Sequence, residues 1–135
     1  MKTKCFLMFV LISCLFLAGC SQKLPEGMNE SDLEKAALRV LTLVQEKDYD
    51  TIVAESAPLF QDAVTGPELR DAVEEQIEKL GAFDKVSKSS YSGASGKNAS
   101  EKYGIAVLSA QYENGSAVYT FSFDMDYRLV GFYVK

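Results

Sequence analysis

The chain has no histidine and no tryptophan, and only three cysteines and three prolines. Each shortage removes a class of chemistry. Without histidine there is no Ser-His or Cys-His relay to activate a nucleophile, and the commonest nitrogen ligand of zinc is gone. The cysteines, Cys5, Cys14 and Cys20, all fall in the first twenty residues, so the rest of the chain holds no thiol for a disulfide, a thiolate metal site or a catalytic nucleophile. Nor is there a basic surplus: 14 Lys and Arg stand against 19 Asp and Glu, a net charge of −5. That balance argues against nucleic acid as a partner and against a basic patch gripping anionic lipid. The longest apolar stretch, Phe6 to Leu17, is short of the ~20 residues that a membrane-spanning helix needs.

What is present begins at the N-terminus. Lys2 and Lys4 precede the apolar stretch, which closes on Ala18 and Gly19 before Cys20. This is the order of an export signal. Leu17-Ala18-Gly19-Cys20 resembles the bacterial lipobox, which implies diacylglyceryl transfer to the Cys20 sulfur and cleavage before it, with Leu17, Ala18 and Gly19 as the peptidase recognition residues. An ordinary secretory signal with a chance cysteine is the simpler alternative. On the lipobox reading residues 1–19 are a signal peptide, residues 20–30 a lipidated cysteine and tether, and residues 31–135 one domain. Without Lys2 and Lys4 the charge becomes −7. Two acyl chains, at ~0.8 kcal/mol per buried methylene, would make a stable anchor. The expected location is the extracytoplasmic face of a cell membrane, the outer membrane where the cell has two.

Ser21 to Glu30 lacks periodicity, carries Pro25 and Gly27, and reads as a tether reaching at most ~35 Å. Ser31 and Glu34 form a capping box, and Leu33, Ala36, Ala37, Val40, Leu41 and Val44 recur at helical spacing, so a helix is predicted over 32–47. Asp48-Tyr49-Asp50 breaks it, Asp50 is placed to cap a short second helix, and Pro58 should disturb that helix. Thr65 and Glu68 make a second capping box, Leu69, Ala72, Val73, Gln76, Ile77 and Leu80 line one face, and Gly81 stands at a left-handed C-cap.

From Phe83 the pattern alternates. The expectation is a lysine-bearing edge strand over 83–91, a mobile loop over 92–102, and strands over 104–112, 116–123 and 128–134. Asn114-Gly115 is a strong hairpin signal. Taken as the two turn residues, they set Ala110 opposite Tyr119, Leu108 opposite Phe121 and Ala106 opposite Phe123. The same parity carried across 124–127 puts Val130, Phe132 and Val134 on that apolar face. Ile105, Val107, Val118, Leu129 and Tyr133 then share the mixed outer face. Helices followed by strands predict an α+β fold, the helices packed on a curved antiparallel sheet of about four strands.

The order of segments is itself recognisable: Lys47-Asp48-Tyr49-Asp50-Thr51-Ile52-Val53, Thr65-x-Pro67-Glu68-Leu69, Leu80-Gly81-Ala82-Phe83, and Phe123-Asp124-x-Asp126 leading to Val130-Gly131-Phe132-Tyr133. It resembles a bacterial lipoprotein domain family of unknown function within the nuclear-transport-factor-two-like superfamily, of cone-shaped, cystatin-like fold. Tyr127 stands where that pattern expects glycine. The superfamily includes isomerase-like enzymes, small-ligand binders and interaction domains, so the resemblance implies a fold and not a function.

An isomerase-like site would need a carboxylate and a tyrosine meeting inside the cone. Tyr112 and Tyr119 face inward under the derived register, but no acid on the two central strands does, and only helical Asp62 offers itself. Tyr112, Tyr119, Phe121, Phe123 and Phe132 are the candidate pocket-lining residues, and for aromatics at strand spacing core is the better reading. Asp48/Asp50 and Asp124/Asp126 match no calcium loop and suit capping and turns. The Gly93-x-x-Gly96-Lys97 segment lacks the spacing of a phosphate loop. The sequence reading is therefore a noncatalytic binding or interaction module, not an enzyme, with no metal and no cofactor. Its partners are the membrane through the anchor and a second copy or an envelope protein, with no nucleic acid. The alternative is a small hydrophobic-ligand carrier or degenerate isomerase using the aromatic cone.

Overall fold

The computed structural model describes residues 22–98 and 100–135. It is an α+β fold in which helices precede a four-stranded antiparallel sheet, as the sequence pattern predicts. The helices are α1 (Glu30–Gln45), α2 (Tyr49–Glu55), α3 (Pro58–Ala63) and α4 (Gly66–Ile77), with a 3₁₀ turn over Glu78–Leu80. The strands are β1 (Phe83–Ser95), β2 (Lys102–Tyr112), β3 (Gly115–Phe123) and β4 (Leu129–Val134), in the spatial order β1-β2-β3-β4. No helix among the described residues is long and apolar enough to cross a membrane.

Local chemistry explains where the helices start and stop. α1 is capped by Asn29, whose side chain accepts from the Asp32 N–H at 2.8 Å, so the expected Ser31 cap lies inside the helix. At its other end Lys47 takes φ +57, with the Lys47 N–H on the Val44 carbonyl at 3.0 Å and the Asp48 N–H on Leu43 at 2.9 Å. That is a Schellman ending with lysine in the seat glycine favours. Asp48, not Asp50, caps α2, accepting from the Thr51 N–H and hydroxyl. Pro58 opens α3, where its missing N–H costs nothing. The Thr65 cap of α4 is found as expected, with Glu68 N–H on Thr65 Oγ1 at 3.3 Å. Gly81 has φ +78.

The sheet keeps the predicted inner face but not the predicted register. Tyr112 pairs with Gly115, Ala110 with Ala117, Leu108 with Tyr119 and Ala106 with Phe121. The turn residues are Glu113 and Asn114, because their N–H groups are claimed by the carbonyls of Ala82 and Leu80, both at 2.8 Å. The shift is two residues, so each side chain stays on its face. In β4 a bulge separates the pairs Ser122–Gly131 and Phe123–Leu129. It reverses the parity at one position: Leu129 is buried and Val130 half-exposed, the opposite of the expectation. Leu129 is held inward where its carbonyl accepts the Ala57 N–H at 2.9 Å from the corner between α2 and α3.

β1 runs four residues past its expected end, and the expected loop shortens to 96–101. Two bulges, at Asp84 and Ser87, bring the unevenly spaced Phe83, Val86 and Tyr91 onto one face, opposite Tyr112, Ala110 and Ala106. The segment expected as a tether lies on the sheet from Gln22 onward: Gln22 bridges Gly93, Leu24 packs against the core and Met28 is part of it. The core is the space between α1, α2, α4 and the inner sheet face, filled by Leu33, Val44, Tyr49, Ile52, Val73, Leu108, Tyr119, Phe121 and Phe123.

Candidate functional site

Leu17, Ala18, Gly19 and Cys20 lie outside the described residues. The five candidate pocket-lining aromatics are all buried, and they fill the interior by touching one another. Phe121 and Phe132 are cross-strand neighbours with ring centroids 4.9 Å apart. Tyr119 stands 5.7 Å from Phe121 and meets Phe132 edge-on at 6.2 Å. Phe123 follows edge-on to Phe121 at 6.5 Å, and Phe83 packs edge-on against Tyr112 at 5.6 Å. These spacings are those of favourable aromatic contact, so the rings serve as each other's neighbours.

The hydroxyls are also occupied. Tyr112 and Tyr119 are brought together and share a short hydrogen bond between their Oη atoms, and Gln45 Nε2 donates to Tyr112 Oη at 3.3 Å. A third phenol, not among the sequence's site candidates, lies nearby: fully buried Tyr49 donates to Glu74 Oε1 at 2.8 Å, and the Arg70 guanidinium sits 5.9 Å from its ring centroid. Burial, then the bond to Glu74, pushes the Tyr49 phenol above its ordinary range. Burial, then the bond to Tyr112, does the same to Tyr119. Both stay protonated across the physiological range. A signal for Glu74 existed: Arg70 and Glu74 are four residues apart on α4, on the side that flanks its Leu69–Val73 stripe. Tyr49 was masked by the two aspartates around it, which read as a helix break.

Where surface meets core, α1 (Ala36, Arg39, Val40, Leu43), α2 (Ile52, Glu55) and the sheet end (Phe123, Tyr127, Leu129) enclose an open cleft of about 70 Å³. Its floor is apolar. Its rim carries a paired contact in which Arg39 donates to both Glu55 oxygens, at 3.0 and 3.3 Å. Tyr127, at φ +59, turns its hydroxyl onto the Asn29 N–H at 3.0 Å, which ties the last turn of the sheet to the start of α1. Of the five predicted aromatics, Phe123 borders this cleft.

The acids take structural parts. Asp62 is exposed on α3. Asp124 accepts from the Asp126 and Arg128 N–H groups, both at 2.9 Å, and pairs with the Arg128 side chain at 3.2 Å. Among the described residues no group of three or more His, Cys, Asp or Glu is placed to hold a metal ion.

No curated protein matches the chain. Its fold is similar to an NMR structure of a protein from Ruminococcus gnavus ATCC 29149, with a TM-score of 0.72 and 29% identity over 84% of this chain and 96% of that one. Residues 37–132, from the middle of α1 to β4, match a family model described as "Protein of unknown function (DUF3887)". The match covers most of the sequence, and the chain belongs to that family.

Proposed function

We propose that this chain is a membrane-anchored extracytoplasmic lipoprotein whose domain is a noncatalytic binding or interaction module of the nuclear-transport-factor-two-like kind. The observation that carries the noncatalytic reading is the filled interior. The rings of Tyr119, Phe121, Phe123 and Phe132 pack on one another, and the hydroxyls of Tyr112, Tyr119 and Tyr49 are bonded within the chain. A ligand entering there would have to displace both. The open cleft between α1, α2 and the sheet end, at about 70 Å³, is far below the ~300 Å³ at which small-molecule pockets begin, so that cleft does not suit a hydrophobic ligand.

With these rings and hydroxyls engaged with one another, this reading assigns recognition to the surface. The outer sheet face offers Ile105 and Val107 on β2 and Val118 diagonal to Val107 on β3, each half-buried, beside their cross-strand partners Ser122, Thr120 and Ser109. Such a face suits a second copy or an envelope protein. The anchor reading is supported by Lys2, Lys4, the apolar stretch and Leu17-Ala18-Gly19-Cys20.

Mass spectrometry of the N-terminal peptide from membrane-fraction protein tests the anchor. A lipid adduct on Cys20 that is lost in Cys20→Ala is the expected result, and an unmodified N-terminus refutes it. Sedimentation of the Cys20→Ala chain over a wide concentration range tests self-pairing, which a persistent monomer would exclude.

A further inference from the structure

The segment that leads from Cys20 into the domain has a seat built for it. Gly93 and Gly104 are direct cross-strand partners in β1 and β2 and face the interior side. A Cβ on Gly93 would run into the Lys23 carbonyl oxygen, and one on Gly104 into the Met28 sulfur. The two glycines thus form a floor low enough for a strand of backbone to lie on. The Gly93 N–H donates to the Gln22 carbonyl at 2.7 Å, the Met28 N–H donates to Pro25 at 3.0 Å, and Met28 is buried. The chain is held from Gln22, not from the start of α1. Only Ser21 lies between Gln22 and Cys20, so by chain length Cys20 stands within ~7 Å of the docked strap, against the ~35 Å reach of an undocked tether.

Gly93 lies two residues from the end of β1. In an antiparallel meander that end of the sheet also carries the β1–β2 loop (96–101) and the β3–β4 turn (124–128). The other end carries the Glu113–Asn114 turn, ~35 Å away along the eleven residues of β2. We propose that the docked strap, Gln22 to Met28, fixes the domain's orientation on its membrane: the β1–β2 loop and β3–β4 turn face the lipid headgroups, and the Glu113–Asn114 turn points away. The inference rests on the reading of Cys20 as the lipid anchor. The facing surface presents Lys97 and Lys102 to headgroup phosphates, with Arg128 paired to Asp124 and Asp126 and Met125 among the exposed apolar side chains. Glu101, Asp124 and Asp126 share that surface, so it is the short lead and not net attraction that orients the domain.

The test uses the full chain, processed in a bacterial host, purified from membranes and reconstituted into phosphatidylcholine vesicles with headgroup-attached nitroxide. A fluorophore is placed through Met125→Cys or, separately, Asn114→Cys, both exposed positions. Quenching several-fold stronger at 125 than at 114 is expected. Gly93→Val, which expels the Lys23 carbonyl, should bring the two toward equality. Should that variant fold poorly, a ten-residue Gly-Ser insertion between Ser21 and Gln22 lengthens the lead without touching the domain and should do the same. Equal quenching at 125 and 114 in the parent, with Cys20 shown by mass to carry lipid, overturns the orientation alone. A Cys20 without lipid overturns the anchor reading and the orientation with it.

Discussion

Replacing Tyr112 and Tyr119 by phenylalanine, singly and together, tests whether the interior is closed. Tyr119 is fully buried and its hydroxyl is bonded to that of Tyr112, which also accepts from the half-buried Gln45. Tyr112→Phe leaves the Tyr119 hydroxyl without that partner where water does not reach. The lost bond is worth ~1 kcal/mol and the stranded hydroxyl adds ~1–2 kcal/mol, for ~2–3 kcal/mol in all. Tyr119→Phe leaves Tyr112 with Gln45 and should cost less, ~1–2 kcal/mol. The double variant strands neither phenol, and Gln45 has access to solvent, so its cost should stay near ~1–2 kcal/mol rather than reach the sum of the two. The implied coupling is ~2 kcal/mol, within the range for residues in one network. Urea unfolding of the Cys20→Ala chain, followed by circular dichroism, gives all four corners of the cycle. Melting temperatures should follow at about 4 °C per kcal/mol for a domain of this size. Additive effects, or a Tyr112→Phe variant without cost, would refute the reasoning. They would mean that water or a ligand already satisfies these phenols and that the interior is open.

Lys47→Gly should raise stability by ~0.5–1 kcal/mol, because an exposed residue at φ +57 gives up left-handed strain and no packing; chemical denaturation measures it. Tyr127→Phe should cost ~0.5–1.5 kcal/mol through the lost bond from the Asn29 N–H, and hydrogen exchange should quicken at the first turn of α1. Alkali should destabilise the fold. Tyr49 and Tyr119 are held above the ordinary tyrosine pKa of ~10, so their contribution is complete below that pH. Above it the unfolded chain ionises first, and stability falls by up to ~1.4 kcal/mol per pH unit for each phenol. Urea midpoints between pH 9 and 12 should show this, with a shallower slope in Tyr119→Phe.

The fold class and the two faces of the sheet were legible because they depend on local periodicity. The Thr65 cap and the inward set of Leu108, Ala110, Tyr119 and Phe121 needed nothing beyond their neighbours in sequence. What was not legible came from groups distant in the chain. Ala82 and Leu80 capture the N–H groups of Glu113 and Asn114 and move the hairpin by two residues. Ala57 draws the Leu129 carbonyl and flips one position of β4. Gly93 and Gly96 signal a loop by composition, yet Gly93 is a strand residue whose missing side chain makes room for Lys23 and Pro25. The candidate site divides in the same way. Which aromatics face inward could be read from alternation, but whether they line a space or fill it depends on how α1, α2 and α4 close over them.

The docked strap also bears on the order of assembly. Every strand pairs with its sequence neighbour, so the sheet can form by short loop closures, while the strap waits for Gly93 and the start of α1 waits for Tyr127. The end of the chain made first is therefore the last to gain its native partners. In a chain threaded from that end, Gln22 to Asn29 would be without these partners until Gly93 and Tyr127 had followed. Completion of the sheet would then draw that segment in.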